Sequence, residues 1–397
     1  MALACLASEH AKRKNSDVLA FIVDHQLRPT SAQEAQKVTD WCRKLGLEAK
    51  ILTWTGQKPK TGIQEAARSA RYSLLCQAAI AHDCSAIATG HTMDDQAETV
   101  FMRIARGSTV DGMAAMSGER LIASGGQLPI RLLRPLLMFS RSSLRAFLLG
   151  QGQEYIDDPS NEDPKFERIK TRALLAALEA QGLLTKSALN KVAARATTTR
   201  KLLDLEISKC FAAAEGTFHR WGGAQCGTGL LDQHFAVSVL QRIIFAVSGS
   251  ENPPSDDAVA AILPALERDG AQSLGGALIE RRGQNIWVYR EPGAVVGRAG
   301  VAPIGRAQIS PGQTLLWDGR FIIRNNSENA VDVGLFNGEA GIDPAAYHGP
   351  VRGLVSMPAI WDGSGLVAAP LKGCEIKELE LESLASERFF QPIHRFS

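Results

Sequence analysis

Hydrophobic residues in the first 180 positions form short continuous runs that alternate with longer segments of helical spacing. The runs at 18–23 and 49–54 have the length of buried strands. Segments 31–46 and 63–82 repeat apolar residues every three or four positions, which predicts helices. This alternation predicts an α/β domain built on a doubly wound parallel sheet. A helix at 1–15 precedes the first strand, whereas such domains usually begin with a strand.

The pattern changes after about residue 138 and again near residue 300. Residues 181–292 combine helical periodicity with one terminal strand at 285–289, which predicts a helical middle region. From 303 to 397, short apolar runs are separated by Gly, Pro and Asn, as is typical of a small, mostly β domain. We therefore predict a catalytic domain at 1–180, the helical middle region at 181–292 and a C-terminal domain at 303–397.

The most informative polar segment is 90–99, which follows a short apolar run and opens an amphipathic segment that ends at Gly107. If it is helical from its start, the spacing places His91, Asp94 or Asp95, and Glu98 on one face. Ionisable groups at the carboxyl end of a strand, beside a helix N-terminus, suit a metal and anionic phosphates. The simpler alternative is an acidic first turn that only caps the helix.

Composition narrows the class of protein. The 397 residues carry a net charge of +2, so the overall charge indicates no particular partner. Seven scattered cysteines without a C-x-x-C pair predict neither a disulfide framework nor a zinc site, and they fit a reducing cytoplasm. We expect no signal peptide and no membrane span. Residues 165–201 carry nine Lys and Arg against two Glu, which fits either solvated helix faces or a track for nucleic-acid phosphates.

Four sequence patterns occur in order over residues 1–175: V-D-H-Q-L-R-P at 23–29, G-I-Q-E-A-A-R-S-A-R-Y at 62–72, the 90–99 segment followed by R-G-S-T-V-D-G at 106–112, and D-P-S-N-x-D-x-x-F-x-R-x-x-x-R at 158–172. Together they resemble the tRNA(Ile)-lysidine synthases, a branch of the N-type ATP pyrophosphatases. Residues 354–363 add a fainter resemblance to the C-terminal module of the longer members. The resemblance implies that the helical middle region at 181–292 and the C-terminal domain at 303–397 bind tRNA.

Three departures from the family pattern are visible. The phosphate loop S-G-G-x-D-S is absent, Thr109 replaces a usual glycine, and Ile169 replaces the asparagine after the first arginine of the fourth pattern. In the family the loop stands immediately before the residues that align with the first positions here. We therefore expect the natural protein to start upstream of Met1, with the loop and one central strand encoded there.

The resemblance implies an ATP-dependent ligase. It implies that L-lysine is joined to C2 of cytidine 34 in tRNA(Ile) with a CAU anticodon, through an adenylated intermediate, with release of AMP and pyrophosphate. ATP and Mg²⁺ are the implied cofactors, tRNA(Ile) and lysine the implied partners, the cytoplasm the implied compartment, and a homodimer one assembly consistent with the family.

The resemblance and the residue chemistry together assign roles to named positions. Asp94 and Asp95 are expected to bind the metal, and Asp95 also to orient phosphate. His91 is expected to donate to the developing phosphoryl charge or to shuttle a proton, and Glu98 to hold the ammonium of lysine. Arg168 and Arg172 are four residues apart, so a helix presents both on one face for phosphate or carboxylate capture. The expected catalytic residues are His91, Asp95, Glu98 and Arg172, and the expected nucleotide contacts are Asp24, His25, Asn161 and Arg168.

Three alternatives remain open at the level of sequence. A tRNA thiolase has the same fold, but its paired cysteines have no counterpart here. A tRNA-binding remnant without catalysis would fit the absent phosphate loop. A small-molecule synthetase of the amidotransferase type is disfavoured by the basic stretch at 165–201 and by the extra C-terminal module.

Overall fold

The computed structural model describes residues 1–59, 61–124, 128–157, 167–297, 303–336, 347–363, 365–390 and 394–396. The chain forms two compact units. The first comprises 1–122 and 130–202 with the last two residues, and the second comprises 123–129 and 203–395. Every helix in the described part is too short or too polar to cross a lipid bilayer.

The first unit begins with a helix and a parallel pair of strands. Helix α1 (Ala2–Lys14) is followed by β1 (Leu19–Asp24), α2 (Ser31–Lys44) and β2 (Glu48–Thr53). β1 and β2 pair in parallel, with Leu19 opposite Glu48 and Asp24 opposite Thr53. Helix α2 connects the two strands, and its Cys42 joins Leu47 and Ala49 in a small core. The predicted helix–strand alternation is confirmed here.

A mixed sheet forms the other part of this unit. Helix α3 (Ile63–Ala81) leads to β3 (Ala86–Ala88), and β4 (Glu119–Ser124) and β5 (Ile130–Leu133) follow later. β3 pairs in parallel with β5, whereas β4 pairs antiparallel with β5. Helix α3 packs its buried side chains against both groups of strands; the core contains Tyr72, Leu75, Cys76, Ala79, Ile87, Ile122, Ile130 and Leu132, with Phe21, Val23 and Leu52 at its margin. The α/β class is confirmed. No hydrogen-bonded pairing joins β1 to β3 among the described strands.

Five helices complete the first unit: α4 (Met93–Ala105), α5 (Val110–Met113), α6 (Arg141–Gly150), α7 (Glu167–Ala180) and α8 (Lys186–Ala213), which continues into the second unit. Apolar faces of α4, α7 and α8 share one core, made of Ala97, Val100, Leu175, Leu189 and Ala193. This packing brings Asp94 and Glu98 of α4 close to Lys186 of α8 and Arg172 of α7, respectively.

The second unit contains more sheet than the sequence predicts for the middle region. The predicted helices are present as the end of α8, α9 (Ala236–Ser248) and α10 (Asp256–Ile262), which runs into a 3₁₀ turn at Leu263–Glu267. Beside them lies a five-stranded antiparallel sheet in the order β6-β7-β10-β9-β8. Its strands are β6 (Thr217–Phe218), β7 (Ala224–Gly227), β8 (Gly270–Leu274), β9 (Ala277–Arg282) and β10 (Asn285–Arg290). Only β10 follows from the apolar pattern.

The C-terminal part is mostly β, as predicted. One sheet has the order β11-β14-β15-β16 and another β12-β13-β17, all antiparallel. The strands of these two sheets are β11 (Ala307–Ile309), β12 (Thr314–Trp317), β13 (Phe321–Asn325), β14 (Val331–Leu335), β15 (Pro358–Asp362), β16 (Gly365–Ala368) and β17 (Leu379–Ser383). A further strand, β18 (His394–Phe396), lies outside both sheets. The short helices are α11 (Pro292–Val296), α12 (Val351–Leu354) and α13 (Ala385–Phe390).

Candidate active site

The N-terminus of α4 is fixed by a reciprocal cap. Thr92 is the N-cap residue, and its backbone N–H and its hydroxyl donate to Asp95 Oδ2 at 2.8 and 2.7 Å. The backbone N–H of Asp95 donates back to Thr92 Oγ1 at 3.4 Å. Because the helix starts at Met93, His91 lies before the cap and not on the helical face that the spacing predicts. The capping alternative is therefore correct for Asp95, whatever further role this carboxylate has.

Asp94 is buried and accepts hydrogen bonds from the first residue of each of two other helices. Its Oδ1 accepts from Lys186 Nζ at 2.9 Å, and its Oδ2 accepts from the backbone N–H of Arg141 at 2.7 Å. Burial acts to raise the pKa of Asp94, but these hydrogen bonds and the two positive charges outweigh it, so the pKa lies below its usual value. Asp94 is therefore ionised near neutral pH and ties α6 and α8 to α4.

Glu98 lies one turn further along α4, with 1% of its surface exposed. Its carboxylate accepts from Arg172 Nε at 2.8 Å and from Arg172 Nη2 at 3.4 Å. Arg168 Nε lies 3.3 Å and Arg141 Nη2 3.6 Å from the same carboxylate. The hydrogen bond to Glu98 raises the pKa of Arg172. The prediction that Arg168 and Arg172 share a helical face is confirmed, and that face points at Glu98.

The arginines around Glu98 are only partly withdrawn from water. The side chains of Arg141, Arg168 and Arg172 keep 32%, 40% and 31% of their surface exposed, whereas the Glu98 side chain keeps 2%. Each guanidinium has five N–H donors, and the contacts to Glu98 use only some of them. The cluster can therefore present further donors to an anionic ligand while Glu98 fixes the orientation of the arginines.

Asp94 and Asp95 do not form a ready site for Mg²⁺ in this arrangement. No group of three His, Cys, Asp or Glu side chains suited to a metal occurs in the described ranges. All four oxygens of the two carboxylates already accept hydrogen bonds, including one from Arg141 Nη2 to Asp95 Oδ1 at 3.2 Å. Mg²⁺ needs oxygen ligands in near-octahedral geometry, and cationic neighbours oppose it. The metal assignment of these residues stays a prediction.

His91 is held by the strand end that precedes it. Thr89 Oγ1 lies 3.0 Å from His91 Nδ1 and 3.5 Å from the carbonyl oxygen of Leu133. These contacts fix the orientation of the imidazole ring with either nitrogen as its N–H. Burial, followed by the positive charge of Arg134, lowers the pKa of His91 to about 4. At neutral pH the His91 ring is therefore uncharged and carries one N–H.

Asp24 and His25 stand at the end of β1. Asp24 is buried, and its Oδ1 accepts from the backbone N–H of Gln26 at 2.9 Å. His25 Nε2 accepts from Arg71 Nε at 3.3 Å, and its ring meets Trp54 edge-on with centroids 6.0 Å apart. Burial, followed by the charge of Arg71, lowers the pKa of His25 to about 4. Within the described ranges, no hydrogen bond or ion pair joins these two residues to the α4 cluster, by which we mean Asp94, Asp95 and Glu98 with their basic partners. Asn161 lies outside the described residues.

Sequence reasoning missed two members of the α4 cluster, Arg141 and Lys186. Both are the first residues of their helices, α6 and α8. A cation there is unfavourable for the helix dipole, so it needs a nearby anion. For Arg141 a signal existed: Ser140 is a typical N-cap, and its side chain accepts from the backbone N–H of Ser143 at 3.0 Å. A basic residue directly after a cap could have suggested an acidic partner.

The fold and this site define a domain of the PP-loop class: the family model described as a PP-loop domain matches residues 1–178. The tRNA(Ile)-lysidine synthase of Ruegeria pomeroyi is 36% identical over 88% of this chain and 81% of its own length. That of Rhizobium meliloti is 35% identical over 79% of this chain and 67% of its own length. That of a Bradyrhizobium species is 39% identical over 66% of this chain and 75% of its own length. The chain belongs to the tRNA(Ile)-lysidine synthase family, whose members are ligases.

A solved U34-tRNA thiolase from Methanococcus maripaludis is a more distant neighbour. The match covers 49% of this chain and 67% of the thiolase chain, with a TM-score of 0.40 and 19% sequence identity. A likeness of that size gives the thiolase alternative no support. All seven cysteines of this chain are free.

Proposed function

We propose that this protein uses ATP to join L-lysine to C2 of cytidine 34 in tRNA(Ile) with a CAU anticodon. In the first step the C2 oxygen bonds to the α-phosphorus of ATP and pyrophosphate leaves. In the second step the lysine amine bonds to C2, the C2–oxygen bond breaks, and AMP departs with that oxygen. Both steps move negative charge onto phosphate oxygens, so both need positioned donors.

The observation that carries the proposal is the cluster around Glu98, in a chain that is 36% identical to a tRNA(Ile)-lysidine synthase over most of its length. Arg172 and Arg168 hold planar guanidinium groups in fixed orientation and remain partly exposed. Such groups suit the phosphate of the adenylate or the carboxylate of free lysine, which they can bind with two parallel hydrogen bonds.

We assign Glu98 to orienting these arginines. The sequence predicts that it holds the ammonium of lysine, but a lysine ammonium would have to compete with three guanidinium groups around a carboxylate that is 1% exposed. His91, neutral and held by Thr89, would donate to a phosphoryl oxygen from its Nε2–H tautomer. Asp95 would maintain the cap that sets the start of α4.

The finer expectations are part of the same proposal. Mg²⁺ would enter with the ATP phosphates, and its assignment to Asp94 and Asp95 stays a prediction. Seven free cysteines support a reducing compartment, so we place the reaction in the cytoplasm. The homodimer stays a prediction.

For the fold, we propose that β1, β2, β3 and β5 belong to one doubly wound parallel sheet. The two parallel pairings, and the packing of α3 against β1 and β3 alike, support this arrangement.

The test is lysine-dependent modification of tRNA. Purified protein, ATP, Mg²⁺, tRNA(Ile) and labelled lysine should give label in the tRNA together with pyrophosphate and AMP. Arg172→Gln should lower the rate about 100-fold, because misplacing one positioned donor commonly has an effect of that size. Arg43→Gln is the matched control, since Arg43 is exposed and, among the residues that the structure describes, pairs with Asp40 alone at 3.6 Å. Incorporation of sulfur from a donor without lysine would refute the proposal.

A further inference from the structure

Strand β17 (Leu379–Ser383) is an edge strand: it pairs with β13, and the described residues provide no strand on its other side. Two backbone hydrogen bonds fix the phase of its ladder with β13. Leu384 N–H donates to Arg320 O at 2.7 Å, and Asn326 N–H donates to Glu378 O at 2.8 Å. Because hydrogen-bonded and non-hydrogen-bonded pairs alternate in an antiparallel ladder, the even-numbered residues of β17 direct their backbone groups to β13.

The odd-numbered residues of β17 direct their backbone groups to the free edge. Leu379 uses its N–H locally, since it donates to Ile376 O at 3.0 Å. Leu381 and Ser383 each turn one N–H and one C=O away from β13. Within the described ranges, none of these groups of Leu381 and Ser383 has a hydrogen-bond partner. An edge with unpaired donors and acceptors is a template for a further strand.

A cavity of about 780 Å³ lies along this edge. Leu381 and Ser383 line it from β17, and Phe218, Pro370 and Ile376 add apolar surface. The whole lining belongs to the second unit. A volume of this size is typical of ligand sites in proteins, so the free edge has space beside it for an extended chain.

The two faces of β17 differ in chemistry. Leu379 and Leu381 pack into the core of the C-terminal sheets, whereas Glu380 and Glu382 are exposed on the opposite face. Both carboxylates share one cation, Arg324 on β13, whose Nη1 lies 3.0 Å from Glu380 and 3.3 Å from Glu382. On the free side of the strand, the part of the chain that the structure describes places no cation within ion-pair distance of either glutamate. The exposed face of this edge is therefore acidic.

This charge pattern selects the occupant of the edge. In a second copy of the chain, antiparallel pairing of β17 with β17 about Leu381 would place Glu380 opposite Glu382, and like charges opposite each other are destabilising. The phosphates of a nucleic acid would meet the same negative charge. A strand with Lys or Arg at alternate positions would instead pair favourably with both glutamates, and apolar residues between them would extend the leucine face.

We propose that the free edge of β17 binds an extended segment of another protein in which apolar and basic residues alternate. The segment adds an antiparallel strand to the β12-β13-β17 sheet. Its main chain bonds to Leu381 and Ser383, and its basic side chains lie opposite Glu380 and Glu382. The interaction is independent of the ligase reaction, so each proposal can fail without the other.

The first test measures binding of a short synthetic peptide of alternating Val and Lys to the full chain by calorimetry. In the proposed arrangement the valine N–H groups point at β17, whereas the lysine N–H groups point away. N-methylation of the valines should weaken binding about 10- to 100-fold, because the hydrogen bonds to Leu381 and Ser383 are lost. N-methylation of the lysines keeps the same charge and should leave the affinity unchanged. Equal affinities of the two methylated peptides would overturn the proposal.

Amide hydrogen exchange, followed by NMR, locates the peptide on the unaltered protein. Saturating peptide should slow exchange at Leu381 and Ser383 by about tenfold or more. Exchange at Glu380 and Glu382 should change little, because their N–H groups already bond to β13. Unchanged exchange at Leu381 and Ser383 would overturn the proposal. An RNA stem–loop that slowed the same two amides would assign the edge to nucleic acid and overturn it as well.

A charge reversal tests the selection of the partner. Glu380→Lys combined with Glu382→Lys should weaken binding of the Val–Lys peptide about tenfold and permit binding of a peptide of alternating Val and Glu. The matched control is Glu251→Lys combined with Glu267→Lys, because both residues are exposed, lie outside the cavity lining and change the net charge equally. A β17 variant with the peptide preference of the wild type would contradict the proposed role of the two glutamates. The two tests on the wild-type chain remain decisive if this variant does not fold.

Discussion

Glu98 in the first unit and Asp318 in the second are both acids with little side-chain exposure, 2% and 8%, and both are surrounded by arginines, but these arginines differ in their exposure to solvent. Asp318 accepts from Arg290 Nε at 3.0 Å and from Arg320 Nε at 2.6 Å. The side chains of Arg290 and Arg320 are 13% and 2% exposed. Those around Glu98 are between 31% and 40% exposed. The two clusters have the same chemistry and opposite access to solvent.

The difference shows how a structural ion cluster can be told from one that can bind a ligand. Around Asp318, further guanidinium N–H groups donate to backbone carbonyls, from Arg320 to Ser356 O at 2.5 Å and from Arg290 to Gly276 O at 3.1 Å. Those donors are used within the protein. Around Glu98 the corresponding donors face the solvent, where a phosphate or carboxylate can reach them. Removing the charge of Asp318 should therefore reduce the stability of the protein, whereas removing the charge of Glu98 should reduce its activity.

The largest effect is expected for Asp318→Asn. Arg320 would then remain buried without its anion, which should lower the free energy of unfolding by about 3–5 kcal/mol. Asp318 has a φ of 50°, a conformation that Asn also tolerates, so the substitution changes the charge and not the turn. Chemical denaturation measures the effect.

The matched control for this variant is Glu380→Gln. Glu380 pairs with Arg324 at 3.0 Å, but both side chains are exposed, so the change should be under about 1 kcal/mol. An equal loss of stability in the two variants would contradict the structural role given to the Asp318 cluster.

Glu98→Gln tests the solvent-exposed arginine cluster of the first unit. We expect lysine incorporation to fall about 100-fold, equivalent to about 2.7 kcal/mol in the barrier, because Arg172 and Arg168 lose the carboxylate that orients them. Stability should fall by less than in Asp318→Asn, since water can reach the released guanidinium groups. If Glu98→Gln unfolded as readily as Asp318→Asn while keeping its activity, the distinction between the clusters would be wrong.

The pH dependence of stability sharpens the account of the first unit. Burial first, and neighbouring arginine charge second, lower the pKa of His91 to about 4, against 6.5 for the unperturbed side chain. Between these values the unfolded chain takes up a proton that the folded chain does not, so stability falls as pH drops from about 6.5 towards 4. The contribution of His91 should be about 1–3 kcal/mol, lost over that range.

His91→Gln should flatten this part of the stability profile, which denaturant titrations at several pH values would measure. The control is His10→Gln, because His10 is exposed on α1 and should leave the profile unchanged. A His91→Gln profile as steep as that of the wild type would mean that His91 is protonated in the folded protein.

Sequence reasoning found the parts of the site that depend on neighbours along the chain. The start of α4, its acidic first turn and the common face of Arg168 and Arg172 follow from spacings of three or four residues. It placed His91 on the helix because spacing alone does not locate the cap, which is Thr92. A shift of two residues in the helix start is enough to remove a side chain from a predicted face.

The missing parts of the site depend on tertiary packing. Arg141 and Lys186 reach Asp94 across 47 and 92 residues, and no periodicity relates positions so far apart. Basic residues at such positions fit a solvated surface equally well until the helices are packed. For the same reason the five-stranded sheet of the second unit was only partly predicted: its short strands, such as Thr217–Phe218, are too brief to give an alternating pattern.

The smallest expected change in stability comes from removing two helix caps of the same kind, one in each unit. Thr92 caps α4 in the first unit, and Ser255 caps α10 in the second, where its side chain accepts from the backbone N–H of Ala258 at 3.3 Å. Thr92→Ala and Ser255→Ala should each lower the free energy of unfolding by about 1 kcal/mol, the usual loss for a removed cap.

The two cap variants should differ in activity. The Thr92 hydroxyl also donates to Asp95 Oδ2 at 2.7 Å, so its loss frees a carboxylate that lies 3.2 Å from Arg141, a neighbour of Glu98. Lysine incorporation should therefore fall about tenfold in Thr92→Ala, since small misplacements at a site reduce rates strongly, and stay unchanged in Ser255→Ala. Steady-state rates measured well below both melting temperatures remove the contribution of stability. Equal rates in the two variants would show that the cap of α4 supports the fold without positioning the site.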